Sequence, residues 1–192
     1  MRPWIVTSLA LCAALAGCGG NDDAAGVLHK DDLPSVNKVV KGRNIPAVAV
    51  CSAIKESEFS ITVSNKPKAV AREYYLKNGD FVGSSALGIP ARYGTAEKAI
   101  QRVTDAIKSC AAEEQSDTDT FTPLTDLDGG AVGYTSTTTT SNGPRFGERV
   151  FAIQGDRIVV VGTRHDGKGD PKVDVVELLP KALDRAKDAP KD

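Results

Sequence analysis

The chain has 192 residues, with 24 basic against 25 acidic side chains, a net charge of −1 and 41% hydrophobic residues. That is the length of one domain plus a short extension, enough to bury a real core. The near-neutral balance, with no basic tract, excludes nucleic acid as an expected partner, and the single tryptophan, Trp4, argues against a sugar site built on aromatic platforms.

The first residues read as an export signal. Arg2 supplies the positive charge, and Ile5 to Ala16 form an apolar run, shorter than the ~20 residues a membrane-spanning helix needs. Leu15-Ala16-Gly17-Cys18 closes it and resembles a bacterial lipobox: a small residue before a thiol that carries diacylglycerol. An ordinary signal cut near Ala16 is the alternative. Cysteine parity weighs against that alternative, because it leaves Cys18, Cys51 and Cys110 as an odd set. Lipidation at Cys18 leaves Cys51 and Cys110 as a pair. The expected division is a lipoprotein signal peptide over residues 1–17, a flexible tether over 18–32 and one extracytoplasmic domain over 33–189. The membrane is then a partner through the N-terminal lipid anchor, on the extracytoplasmic face.

Within the domain, Ser35 to Val40 suggests a short helical turn limited by Gly42 and Pro46. Phe59 to Val63 alternates apolar and polar, as a half-buried strand does. Ala69 to Leu76 is a second strand candidate, with a helix over Lys68–Leu76 as the competing reading. Asn78-Gly79 then marks a hairpin turn into Phe81–Leu87. The clearest helix runs from Ala96 to Cys110 after the N-cap Thr95. Its stripe Ala96, Ala99, Ile100, Val103, Ala106, Ile107 and Cys110 recurs at intervals of three and four. Ala131–Thr140, Glu148–Gln154 and Arg157–Thr163 are strands separated by the turns Ser141–Pro144 and Gly155-Asp156. Such tight turns imply an antiparallel meander. A last helix covers Val175–Ala186, with Pro180 expected to kink or split it. The fold class is therefore α+β: an antiparallel sheet of about five to six strands with helices mainly on one face.

Candidate chemistry is sparse. A Cys51–Cys110 crosslink would close a loop of about 60 residues, which the chain-entropy model values at roughly 4 kcal/mol, and export favours it. Without a CxxC or a nearby histidine the pair does not read as a metal or redox site. His29 falls in the tether and His165 at a strand end, and both read as surface histidines. Gly83-Ser84-Ser85-Ala86-Leu87 begins like a nucleophile elbow, but Leu87 replaces the second glycine that the strained turn needs. Glu113, Glu114, Asp117, Asp119, Asp126 and Asp128 cluster without EF-hand spacing and read as a solvated acidic loop, weak calcium binding being the alternative. Thr135–Thr140 reads as a solvent-facing strand, or else as an exposed sheet edge or a glycan acceptor. No catalytic residue, metal or cofactor is assigned.

The lipobox, Cys51, the helix Thr95–Cys110 ending in a cysteine, and the hairpin Arg149–Val161 before a final helix together resemble a family of actinobacterial lipoproteins and sensor domains. Its type is the extracellular domain of PknH-like receptor kinases. The resemblance covers residues from about Cys51 to Ala186 as an order of elements. It implies an α+β sensor fold with a ligand cleft, and an extracytoplasmic binding domain. Kinase members carry two disulfides, whereas this chain can make only one, and it has no kinase domain. The expected function is a lipid-anchored, non-enzymatic binding or sensor-like domain with an unknown small-molecule, lipid or protein ligand. The alternatives are a structural or assembly lipoprotein docking through a threonine-rich edge, a lipid carrier, and an envelope hydrolase using Ser84 or Ser85 with His165.

Overall fold

A computed structural model describes residues 25–42, 51–54, 70–89, 93–113, 115–116, 119–167 and 171–189. Turns that need positive φ organise its sheet. Gly79 (φ 91°) joins β2 (Val70–Leu76) to β3 (Phe81–Gly88), and Gly155 (φ 61°) joins β6 (Gly143–Gln154) to β7 (Arg157–Asp166). The remaining strands are β1 (Val36–Lys41), β4 (Asp119–Pro123) and β5 (Val132–Thr140). Among the described residues, seven strands form one antiparallel sheet in the order β1-β2-β3-β7-β6-β5-β4. After β3 the chain passes through helix α1 (Ala96–Ala112) to the far edge strand β4. Helix α2 (Val175–Ala186) follows β7.

The α+β class and the antiparallel meander are present, but the sheet has seven strands rather than five to six. One addition is β1, which occupies the segment read as a helical turn. Its valines Val36, Val39 and Val40 suit a pleated strand better than a helix. The other is β4, in the stretch read as an acidic loop. There Phe121 is buried between exposed Thr120 and Thr122, an alternation the acidic surroundings disguise. The strand expected over Phe59–Val63 and the lipobox with Cys18 lie outside the described residues.

The helices are not gathered on one face. Val159 and Val161 pack with Leu178, Leu179 and Ala182 of α2. Ile158 and Val160 pack with Ala99, Ile100, Val103 and Ile107 of α1. Successive residues of a strand point to opposite faces, so α1 and α2 cover opposite sides. The continuous run Ile158–Val161 is apolar because both of its faces are buried. Thr95 caps α1, its hydroxyl accepting from Lys98 N at 3.3 Å. Pro180 neither splits α2 nor ends it. It lies exposed in the second turn, where its missing N–H frees the carbonyl of the exposed Val176 to water.

The expected tether is corrected in its second half. Val27 and Leu28 are fully buried, and Leu28 joins the α2-side core. Leu28 N–H donates to Ser84 Oγ at 3.1 Å, and the Tyr74 hydroxyl donates to Leu28 O. Residues Lys30–Asp32 form a 3-10 turn whose Asp32 accepts from His29 N–H at 2.8 Å. His29 therefore belongs to the folded domain and not to a tether.

Candidate functional site

The register of the sheet places a polar set on the α1 side. One cross-strand row reads Lys38, Tyr75, Phe81, Arg164, Gly147, Ser136, Phe121. The next reads Val40, Glu73, Gly83, Gly162, Arg149, Tyr134, Pro123. Aromatic and cationic groups run continuously along the first row. Lys38 Nζ lies 5.6 Å from the Tyr75 ring centroid, Tyr75 and Phe81 meet edge-to-face at 4.7 Å, and the Arg164 guanidinium lies 4.1 Å from the Phe81 centroid. Such contacts hold an arginine plane against a ring. Arg164 Nε also sits 3.4 Å from Asp166 Oδ1, an ion-pair contact without hydrogen-bond alignment.

In the second row Gly83 and Gly162 put no side chain between Glu73 and Arg149, and both glycines are buried. Arg149 is buried, at 4% exposure. Burial pushes the Glu73 carboxyl above its ordinary pKa, and the positive charge of Arg164 opposes that shift. Ser85, beyond Gly83 on the same face, is 2% exposed, and its hydroxyl has no hydrogen-bond partner. Helix α1 packs over β4 to β7 on this side, on Phe121, Tyr134, Phe151 and Val160.

A second polar cluster lies on the α2 side, at the β2–β3 turn. Asp80 is 1% exposed. One of its carboxylate oxygens is 2.7 Å from His165 Nδ1, and the other accepts from Asn78 Nδ2 and Lys172 N–H, both at 2.9 Å. His165 is therefore tied down rather than free on the surface. The expected hydrolase would need Ser84 or Ser85 within reach of this acid–histidine pair. Ser84 pairs with Val161, four residues along β7 from His165, which is roughly 13 Å at strand spacing. Its hydroxyl already accepts from Leu28, and Ser85 points to the opposite face. The structure does not bring either serine to His165, so the hydrolase arrangement is not assembled.

The other expected sites fall out as follows. Cys51 and Cys110 are joined, with α-carbons 5.7 Å apart, and the bond ties residue 51 to the last turn of α1. Glu113 Oε1 lies 3.4 Å from Cys51 Sγ, but both sulfurs are used in the crosslink. The threonine-rich β5 is not an edge, because β4 covers its outer side and pairs Thr120 with Thr137 and Thr122 with Thr135. Of the acidic residues, Asp119 lies in β4, where it accepts from the Thr138 hydroxyl, and Asp128 opens a 3-10 turn; Asp117 and Glu114 lie outside the described residues.

Sequence reasoning passed over Glu73, Asp80, Arg149 and Arg164. One signal was available: the tripeptide Gly-x-Arg occurs at Gly147-Glu148-Arg149 and again at Gly162-Thr163-Arg164, overlapping the start of one run and the end of the other that were read as a hairpin.

No protein-family model matches this sequence, and no curated protein does. A solved structure does. The chain is similar in fold to the extracellular domain of PknH from Mycobacterium tuberculosis. The TM-score is 0.51 at 13% identity, over 80% of this chain and 86% of that one. At this identity the likeness shows a shared fold, as the order of elements in the sequence implies.

Proposed function

We propose that this chain is a lipid-anchored, extracytoplasmic binding domain of the bacterial envelope, of the actinobacterial lipoprotein type, sensor-like and non-enzymatic. The observation that carries the reading is the fold, shared over four-fifths of the chain with a domain described as extracellular. The Leu15-Ala16-Gly17-Cys18 run supports the anchor, with Cys18 as the acylated residue. The Cys51–Cys110 crosslink suits an oxidising compartment. Neither Ser84 nor Ser85 stands beside the Asp80–His165 pair, which speaks against a hydrolase built on those serines and supports a binding role. No helix among the described residues is long and apolar enough to cross a membrane.

The test is metabolic labelling of the full chain in a bacterial host with an alkyne-bearing fatty acid, followed by surface proteolysis of intact spheroplasts. Label on the wild type, lost in Cys18→Ala, with the domain cut from outside, is the expected result. Unlabelled protein, or protein protected inside the cell, overturns the anchor and the location together.

A further inference from the structure

The Cys51–Cys110 crosslink has a carboxylate set against it. The chain leaves α1 at Glu113, whose N–H donates to Cys110 O at 3.3 Å. That turn brings the Glu113 side chain back over the end of the helix, and its Oε1 stops 3.4 Å from Cys51 Sγ. The two sulfurs and the carboxylate oxygen all lie within 4.8 Å of one another. A disulfide sulfur has no proton to give, so Glu113 gains no hydrogen bond from Cys51 while the crosslink is closed. The same position is productive in the dithiol form, where each sulfur is a weak donor or, once deprotonated, a metal ligand.

Two thiolates and a carboxylate are ligands of the kind that zinc takes, and soft sulfur selects for thiophilic cations. In a tetrahedral site, a sulfur and an oxygen bound to the same zinc stand about 3.5 Å apart, and the Cys51–Glu113 contact already has that spacing. The sulfurs would part to about 3.8 Å, a movement within reach of side-chain rotation when the α-carbons are 5.7 Å apart. Cys51 and Cys110 are buried, whereas Glu113 is exposed, so water has access to a fourth position. The helix supplies an independent reason. The C-terminal end of α1 is its negative pole, and its last turn holds no basic residue. A cation there offsets the pole as well as the thiolates. Glu113, three residues beyond Cys110, thus provides the third ligand that neither a CxxC nor a histidine provides here.

We propose that Cys51, Cys110 and Glu113, in the dithiol form of the chain, bind a thiophilic divalent cation such as zinc. Cysteines are made as thiols, so the site precedes the crosslink in every new chain. Binding releases the two thiol protons to solvent and forms one bond from each sulfur to the metal. Metal and crosslink exclude each other. Closing the crosslink by exchange with another protein's disulfide takes two electrons from the thiolates, reduces that disulfide to a dithiol and frees the cation. While bound, the cation ties residue 51 to the last turn of α1 in place of the covalent bond.

Cobalt(II) followed by zinc tests it, on the full chain reduced with a phosphine and kept free of oxygen. Cobalt should bind one-to-one with the charge-transfer absorption of two thiolate ligands, and zinc should displace it. Zinc should also raise the melting temperature of the reduced chain, because it binds the folded form. Glu113→Ala should weaken zinc binding at least tenfold, and Glu113→Asp, which keeps a carboxylate, by less. With the crosslink closed, Glu113→Ala should melt as the wild type does, since the side chain lies outside the core. The oxidised wild type should bind at least a hundredfold more weakly than the reduced. Cobalt bound without thiolate absorption overturns the assignment, and so does equal zinc affinity in wild type and Glu113→Ala. Zinc that binds without raising the melting temperature also overturns it, because any unfolded dithiol would do the same. No binding by the reduced chain ends it outright.

Discussion

Asp32 and Arg185 join two segments distant in sequence through a single fork, with Arg185 Nε and Nη2 each 3.1 Å from an oxygen of the carboxylate. Burial alone raises the Asp32 pKa, but the bonds from Arg185 and from His29 N–H outweigh it, and the carboxyl titrates below its ordinary value. A depressed carboxylate adds stability above its unfolded pKa and loses that contribution as the pH falls through the folded one. Arg185→Gln should therefore cost about 1 kcal/mol at neutral pH. Urea titrations should show the gap from wild type closing as the pH falls through the depressed Asp32 pKa, below the usual carboxylate range. Residues such as these were illegible one at a time. Arg149 sits in a strand that was read and Arg164 one residue past the end expected for the next, yet only the register sets each opposite the other's glycine. Asp80 looked like part of a turn, and its burial beneath His165 and Lys172 comes from contacts far apart in the chain.

Where a segment's own pattern was strong, its element was readable. The α1 stripe and the Asn78-Gly79 turn are local signals, and the structure follows them. β4 was missed because five residues flanked by acids carry too little alternation to stand out. β1 was misread because its valines take their meaning from β2, to which they pair. Pro180 shows the opposite case, a strong local signal overridden. Its ring is exposed and α2 continues through it, held by Leu178, Leu179 and Ala182 on the core side. Pro180→Ala restores an N–H to the helix ladder without removing a core contact, so it should raise unfolding free energy by about 1–3 kcal/mol, measured by chemical denaturation. Unchanged or lower stability would mean that the ring makes a contact worth as much as the bond. The crosslink acts on the same scale. Reducing Cys51–Cys110, or replacing both by alanine, should cost about 2–4 kcal/mol, seen as a lower denaturation midpoint.

The molecule as a whole is a sheet covered on both sides, and this was only half legible. The unbroken apolar run in β7 announced two buried faces, but which helix covers which depends on how the chain crosses the sheet. The N-terminal arm was the largest surprise, because polar and small residues before Val27 hid the two core side chains that follow. Leu28→Ala should cost about 3 kcal/mol. A chain begun at residue 25 should melt as the full chain does, whereas one begun at residue 34 should lose cooperative unfolding, as read by calorimetry. The arm also has a bearing on orientation. It enters on the α2 side, where Gly26 packs against Ala189 so closely that a methyl on Gly26 would stand 2.6 Å from the alanine's own. The two ends of the described chain thus leave from one pole. Anything that holds the protein by its N-terminal end therefore grips it beside the residues that follow α2, so a pull on that end is felt at both ends of the described chain.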